Sequence, residues 1–128
     1  MPTPFDRDPV TFEITEVSTG VSPQLMPALQ PRRKNEIWVC EYVSVWATEH
    51  TSNSTPDTYI VELGVDHRSH ITWLDYITLT SGTWARILDH PITLLSDTLP
   101  RCRFYVSDAG LVLAMNAVGY VRAPFTTP

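Results

Sequence analysis

The chain has 128 residues, of which 43% are hydrophobic and 18% charged, with a net charge of −5. That length suits one domain able to bury roughly two-thirds of the surface its unfolded form exposes. An acidic chain whose nine basic residues include a single lysine, Lys34, lacks the clustered positive field that phosphate backbones require, so nucleic acid is excluded as a partner.

Residues 1–9, with prolines at 2, 4 and 9, read as an extended arm, because proline offers no donor to a sheet ladder. The sandwich domain is expected over 10–125. Its first strand is signalled by Val10, Phe12 and Ile14 alternating with Thr11, Glu13 and Thr15. A long Pro-rich connection, 18–35, follows; Leu25, Met26 and Leu29 give it apolar grip, and it is expected to lie along a neighbouring surface. The Arg32-Arg33-Lys34 cluster inside it is a solvated linker or a contact to an acidic partner.

Glu36 to Ala47 is the strongest strand. Strict alternation places Ile37, Val39, Val43 and Val45 on one face and Trp38, Cys40, Tyr42 and Trp46 on the other. With both faces largely apolar, the strand is either covered on both sides or meets a second subunit. Residues 49–57 are polar turn material, and Asn53-Ser54-Thr55, although it matches a glycosylation sequon, reads as part of that loop. Thr58 to Val65 points Tyr59, Val61, Leu63 and Val65 one way. After a polar turn at Asp66–Ser69, His70 to Thr80 sets Ile71, Trp73, Ile77 and Leu79 against Thr72, Thr78 and Thr80. Shorter apolar pieces lie at 84–88 and 92–95, and 81–88 also admits a short helical turn. The chain closes on what reads as a hairpin about Ser107-Asp108-Ala109-Gly110, with Leu111, Leu113 and Met115 on one face of its last strand. Together these signals predict an all-β fold: a single jelly-roll-like β-sandwich of about eight antiparallel strands.

Catalytic chemistry finds little support. His67 and His70, with Asp66 or Asp75, offer fewer converging ligands than a zinc site needs, so no metal is expected. Cys40 and Cys102 stand beside no basic partner and read as small buried hydrophobes. No Gly-x-Ser-x-Gly elbow and no phosphate-cradling glycine loop occurs, so neither an enzyme nor a cofactor is expected. No apolar run approaches the 18 residues of a membrane span, and with no leader visible the cytoplasm is the expected place of synthesis. The aromatics remain. Trp38, Trp46 and Trp73 read as core, whereas Trp84 and Tyr76, with Asp75 or Asp89 nearby, suggest an exposed platform for a sugar or receptor; Tyr105 and Arg103 also share faces with polar residues.

The order of signals resembles the small jelly-roll domains of tailed-phage virion proteins: the strand Glu36–Val45, the Leu-Pro lead into Thr98–Val106, and the ending Ala117-Val-Gly-Tyr120. The likeness spans about residues 36–122. Capsid decoration (cement) proteins of that kind imply a trimeric, non-enzymatic virion protein on the capsid surface, partnered by the major capsid protein and by copies of itself. Contacts to the shell would then fall on Thr3, Pro4, Phe5, Arg7, Leu25, Met26, Leu29, Arg32 and Arg33, and the oligomer seam on Trp38, Tyr42, Trp46 and Tyr120. A carbohydrate- or receptor-binding module of a tail or head fibre, using Tyr76 and Trp84, is the alternative.

Overall fold

The computed structural model describes residues 7–27, 37–48, 57–88, 90–94 and 98–122. Among these, nine strands and no helix occur: β1 (Arg7–Thr19), β2 (Gln24–Leu25), β3 (Ile37–Ala47), β4 (Thr58–His67), β5 (His70–Thr80), β6 (Ala85–Leu88), β7 (Ile92–Leu94), β8 (Thr98–Tyr105) and β9 (Ala109–Arg122). They form two antiparallel sheets. Sheet A has the order β1-β9-β3-β6, with β7 also pairing β3; sheet B has the order β2-β8-β4-β5. The molecule is a β-sandwich, as the alternating patterns require. The stretch 81–88 forms a turn and a strand, not a helical turn.

Period-two alternation explains why these segments stack. From sheet A, Cys40, Val43, Val45, Leu113, Met115 and Ala117 face inward, and from sheet B Val61, Leu63, Leu79, Cys102 and Phe104 meet them; all are buried. Both cysteines are free, and burial pushes the Cys40 thiol up to about 11, with the Glu41 carboxylate adding to the effect. The Cys102 thiol is pushed up further by the same desolvation. Thiols held in that state are poor nucleophiles.

Three expectations change. Strand β1 begins at Arg7 and pairs with Arg122, so Arg7, Asp8 and Pro9 belong to the sheet; Pro9 is tolerated because β1 is an edge strand. Residues 1–6 lie outside the described residues. Met26 does not grip a neighbour: it is fully buried in the core, brought there by β2 pairing with β8. Finally, β8 and β9 form no hairpin. Val106, buried in the core, leads the chain from sheet B to sheet A, and Gly110, at φ 87°, opens the new strand. Ser18 fastens this crossing, its hydroxyl donating to the Asp108 carbonyl at 2.6 Å and accepting from the Leu111 amide at 2.9 Å.

Two β-bulges set which side chains reach the surface. The register of β3 against β9 shifts between Cys40 and Tyr42, leaving Glu41 as the extra residue. Trp38 and Cys40 therefore face the core with Val43 and Val45, while Val39, Tyr42 and Trp46 share the outer face. In β5 the register shifts between Leu63 and Gly64 of its partner, with Leu74 as the extra residue.

Gly119 faces the backbone of β3 so closely that a Cβ would collide with the Val39 carbonyl oxygen. Gly119→Ala is expected to cost at least about 1–3 kcal/mol, the range for overpacking. Phe104→Ala, which empties a fully buried site, should cost about 3–5 kcal/mol. Urea denaturation checks both, and a wild-type midpoint for either variant would contradict this packing.

Candidate functional site

The bulge at Leu74 decides the outer face of sheet B. Strict alternation would send Trp73 and Tyr76 to opposite sides, since they are three residues apart. The extra residue puts both on the outside, with Trp73 opposite Gly64 and Tyr76 opposite Glu62. Strand β8 lies on the far side of β4 and places Arg101 opposite Gly64, Arg103 opposite Glu62, and Tyr105 opposite Ile60. Tyr76, Glu62 and Arg103 thus form one row across three strands, ending at Leu25 of β2.

Gly64 makes room for the indole. A Cβ there would sit 2.8 Å from Trp73 Cε3 and 2.7 Å from Ile71 Cγ2, so only glycine lets these side chains lie across the strand. The Arg103 guanidinium stands over the indole, 3.9 Å from its centre, and 5.7 Å from the centre of the Tyr105 ring. Its Nε donates to Glu62 Oε1 at 2.8 Å, and the same oxygen accepts a short bond from the Tyr105 hydroxyl. Hydrogen bonds from Arg103 and then Tyr105 hold the Glu62 carboxyl below the usual glutamate range. The Tyr105 hydroxyl is raised, chiefly by its bond to Glu62. The result is a guanidinium fixed by one carboxylate and two rings. Beside it Tyr76 is 66% exposed.

A second ion pair borders the site. Arg101 Nη1 lies 3.0 Å from Asp66 Oδ2, and its Nε and Nη2 donate to the Met26 carbonyl. Asp66 Oδ1 accepts from the Ser69 amide and closes the β4–β5 turn, where Arg68 and Ser69 adopt φ of 51° and 71°. Each of the four charges on this face therefore has its opposite within hydrogen-bond reach.

The residues singled out by sequence distribute differently from expectation. Tyr76 belongs to sheet B, but Trp84 leads into β6 of sheet A and stacks on Trp46, with ring centres 6.2 Å apart, so the two do not form one platform. Trp73 and Trp46 are not core residues; both lie on outer faces, on opposite sides of the sandwich. Of the expected seam, Tyr42, Trp46 and Tyr120 share the outer face of sheet A, whereas Trp38 packs against the core. Of the expected shell contacts, Leu25 is exposed and Met26 is buried. Thr3, Pro4, Phe5, Leu29, Arg32 and Arg33 lie outside the described residues, as do the side chain of Arg7 and residue Asp89. His67 and His70 pair across the β4–β5 turn, where His67 Nδ1 lies 3.2 Å from Thr98 Oγ1. No group of three metal-ligating side chains occurs among the described residues. Glu62, Gly64 and Trp73 went unread as site residues, although an isolated glycine inside a strand is itself a sign of close approach.

No protein-family model matches the chain, and no curated protein does. Among solved structures it is similar to the CBM22-1–GH10 modules of the N-terminal endo-1,4-β-D-xylanase 10B of Clostridium thermocellum, a complex with xylohexaose, at 10% identity and a TM-score of 0.39. That match covers 97% of this chain and 27% of the other, so the chain spans about a quarter of its length. It is also similar to the C-terminal family 22 carbohydrate-binding module of the same bacterium, at 14% identity and a TM-score of 0.36, covering 98% of this chain and 91% of that one.

Two outcomes test this geometry. Glu62 is held ionised, so the network it anchors is complete above the ordinary glutamate pKa of about 4.3 and is lost as pH falls through its lowered value. In an NMR titration the Arg103 Nε–H resonance should move upfield in acid as its bond to the carboxylate is lost, whereas Glu62→Gln should abolish that step. Gly64→Val should displace the indole, removing the ring-current shift from the same resonance at a stability cost of about 1–3 kcal/mol. An unchanged shift would contradict the seat assigned to Trp73.

Proposed function

We propose that the chain is a non-catalytic binding module that holds an uncharged glycan on the outer face of sheet B. The observation that carries this reading is the row Tyr76–Glu62–Arg103, flanked by Trp73 and Tyr105, on one open face. Amphipathic rings offer apolar surface to the faces of sugars while leaving polar edges for their hydroxyls. Arg103 uses Nε for Glu62, and its remaining N–H groups are positioned to donate to vicinal hydroxyls. Because two rings and a carboxylate already fix this guanidinium, little rotamer entropy is left to lose on binding.

Charge pairing selects the ligand class. A carboxylated sugar that accepted from the remaining N–H groups of Arg103 would set its negative charge beside the Glu62 carboxylate, which already neutralises that guanidinium. Hydroxyls add bonds there without that repulsion. The decoration-protein reading draws on Thr3, Pro4, Phe5, Leu29, Arg32 and Arg33, outside the described residues, on Arg7 of β1 and the exposed Leu25, and on Met26, which the core consumes. The described geometry favours the glycan.

Affinity gel electrophoresis against neutral polysaccharides and polyuronates tests the proposal. At least one neutral polymer should retard the wild-type chain. Tyr76→Ala and Arg103→Met should each weaken that binding by about tenfold, equivalent to about 1.4 kcal/mol, with wild-type circular dichroism. Retardation by no polymer, or by polyuronates alone, would overturn it.

A further inference from the structure

The outer face of sheet A carries a row with opposite charges at its two ends. Register places Glu13 of β1 opposite Asn116 of β9, Asn116 opposite Ser44 of β3, and Ser44 opposite Arg86 of β6. At a strand spacing of about 4.8 Å, the acid and the base stand about 14 Å apart with two neutral polar residues between them. The flanks of the row are apolar. Trp46 stacks on Trp84 on one side of it, Val118 and Tyr42 lie opposite each other on the other side, and the Arg86 guanidinium sits 4.1 Å from the centre of the Tyr42 ring. Val17 and Val112, paired between β1 and β9, are both exposed on the same face.

We propose that this face binds a second copy of the chain, forming a two-fold dimer of sandwiches packed sheet A to sheet A. When identical faces meet, the two-fold axis lies in the plane between them, and two choices exist. An axis across the strands would set Glu13 on Glu13 and Arg86 on Arg86. An axis along the strands, between β9 and β3, sets Glu13 of each copy on Arg86 of the other and Asn116 on Ser44. Charge complementarity selects the second. The row is then self-complementary: two ion pairs at its ends, two polar pairs at its middle, and the valines and aromatic rings closing around them. Asn116 adds an independent sign, since its amide oxygen is shielded from solvent and has no hydrogen-bond partner among the described residues. Such groups call for a partner, and turning the amide toward Ser44 of a second copy supplies one. The arrangement leaves the outer face of sheet B open in both copies, so it stands whether or not that face binds a glycan.

Analytical ultracentrifugation of the chain and of charge variants tests the dimer. The wild type should sediment as a dimer at about 100 µM, a concentration that populates even weak interfaces. Glu13→Arg and Arg86→Glu should each raise the dissociation constant at least about tenfold by setting like charges together. Combined, they should restore dimerisation, because the pairs re-form with signs exchanged. Both sites are exposed, so neither change should disturb the fold, and circular dichroism checks this. A monomer at that concentration, a trimer, or a double variant no better than the single ones would each overturn the proposal.

Discussion

Trp73 lies across Gly64 because Leu74 adds one residue to β5 and because Gly64 has no side chain to oppose it. Removing either condition removes the site. Without the bulge, Trp73 and Tyr76 would face opposite ways, and one large aromatic would be driven into a core already filled by Phe104, Leu63 and Leu79. With a Cβ at position 64 the indole would lift, and Arg103 would lose the ring against which it stands. The network of Glu62, Arg103 and Tyr105 is thus subordinate to backbone geometry two strands away. Polar groups positioned in this way are orienting devices more than sources of stability, since a partly exposed ion pair contributes at most about 1 kcal/mol.

The two faces of the sandwich divide the chemistry. On the outer face of sheet B, Glu62 and Asp66 are each satisfied within the molecule by an arginine. On sheet A, Glu13 and Arg86 stand at opposite ends of one row, too far apart to satisfy each other. The aromatics follow the same division, Trp73, Tyr76 and Tyr105 on one side and Tyr42, Trp46 and Trp84 on the other. Apolar residues at outward positions of β3 explain why that strand looks two-sided in sequence. The inner set builds the core, and the outer set builds a surface.

The sandwich was legible wherever the period of two runs unbroken. Tyr59, Val61 and Leu63 in β4, and Leu111, Leu113 and Met115 in β9, fall on the faces that alternation assigns. It failed where one residue was inserted. Glu41 and Leu74 look like ordinary strand residues, yet each reverses the side on which its neighbours fall, so that Trp38 reaches the core as read while Trp46 and Trp73, read as core, lie outward. The turn at Ser107–Gly110 misled for a different reason. Polar residues and a positive-φ glycine serve a hairpin and a crossing between sheets equally well, and only the long-range pairing of β9 with β1 and β3 separates the two. Tyr76, Tyr105 and Arg103 were recognisable as surface residues from the polarity around them. Glu62 and Gly64 acquire meaning only from their cross-strand partners.

The pairing of β1 with β9 bears on how the chain is made. Strand β9 lies between β1 and β3, so sheet A has no continuous centre until the last strand has left the ribosome. Sheet B can assemble its β4–β5 hairpin early and its β4–β8 ladder somewhat later, but β1 must wait for β9, and β3, although β6 and β7 can pair one edge, keeps its other edge open until then. Such a topology makes the closure of sheet A wait for a sequence-distant strand, which is slow relative to local folding. During that interval the edge of β3 that will receive β9, beside Val43 and Val45, stays unpaired, the segment a nascent-chain chaperone would be drawn to.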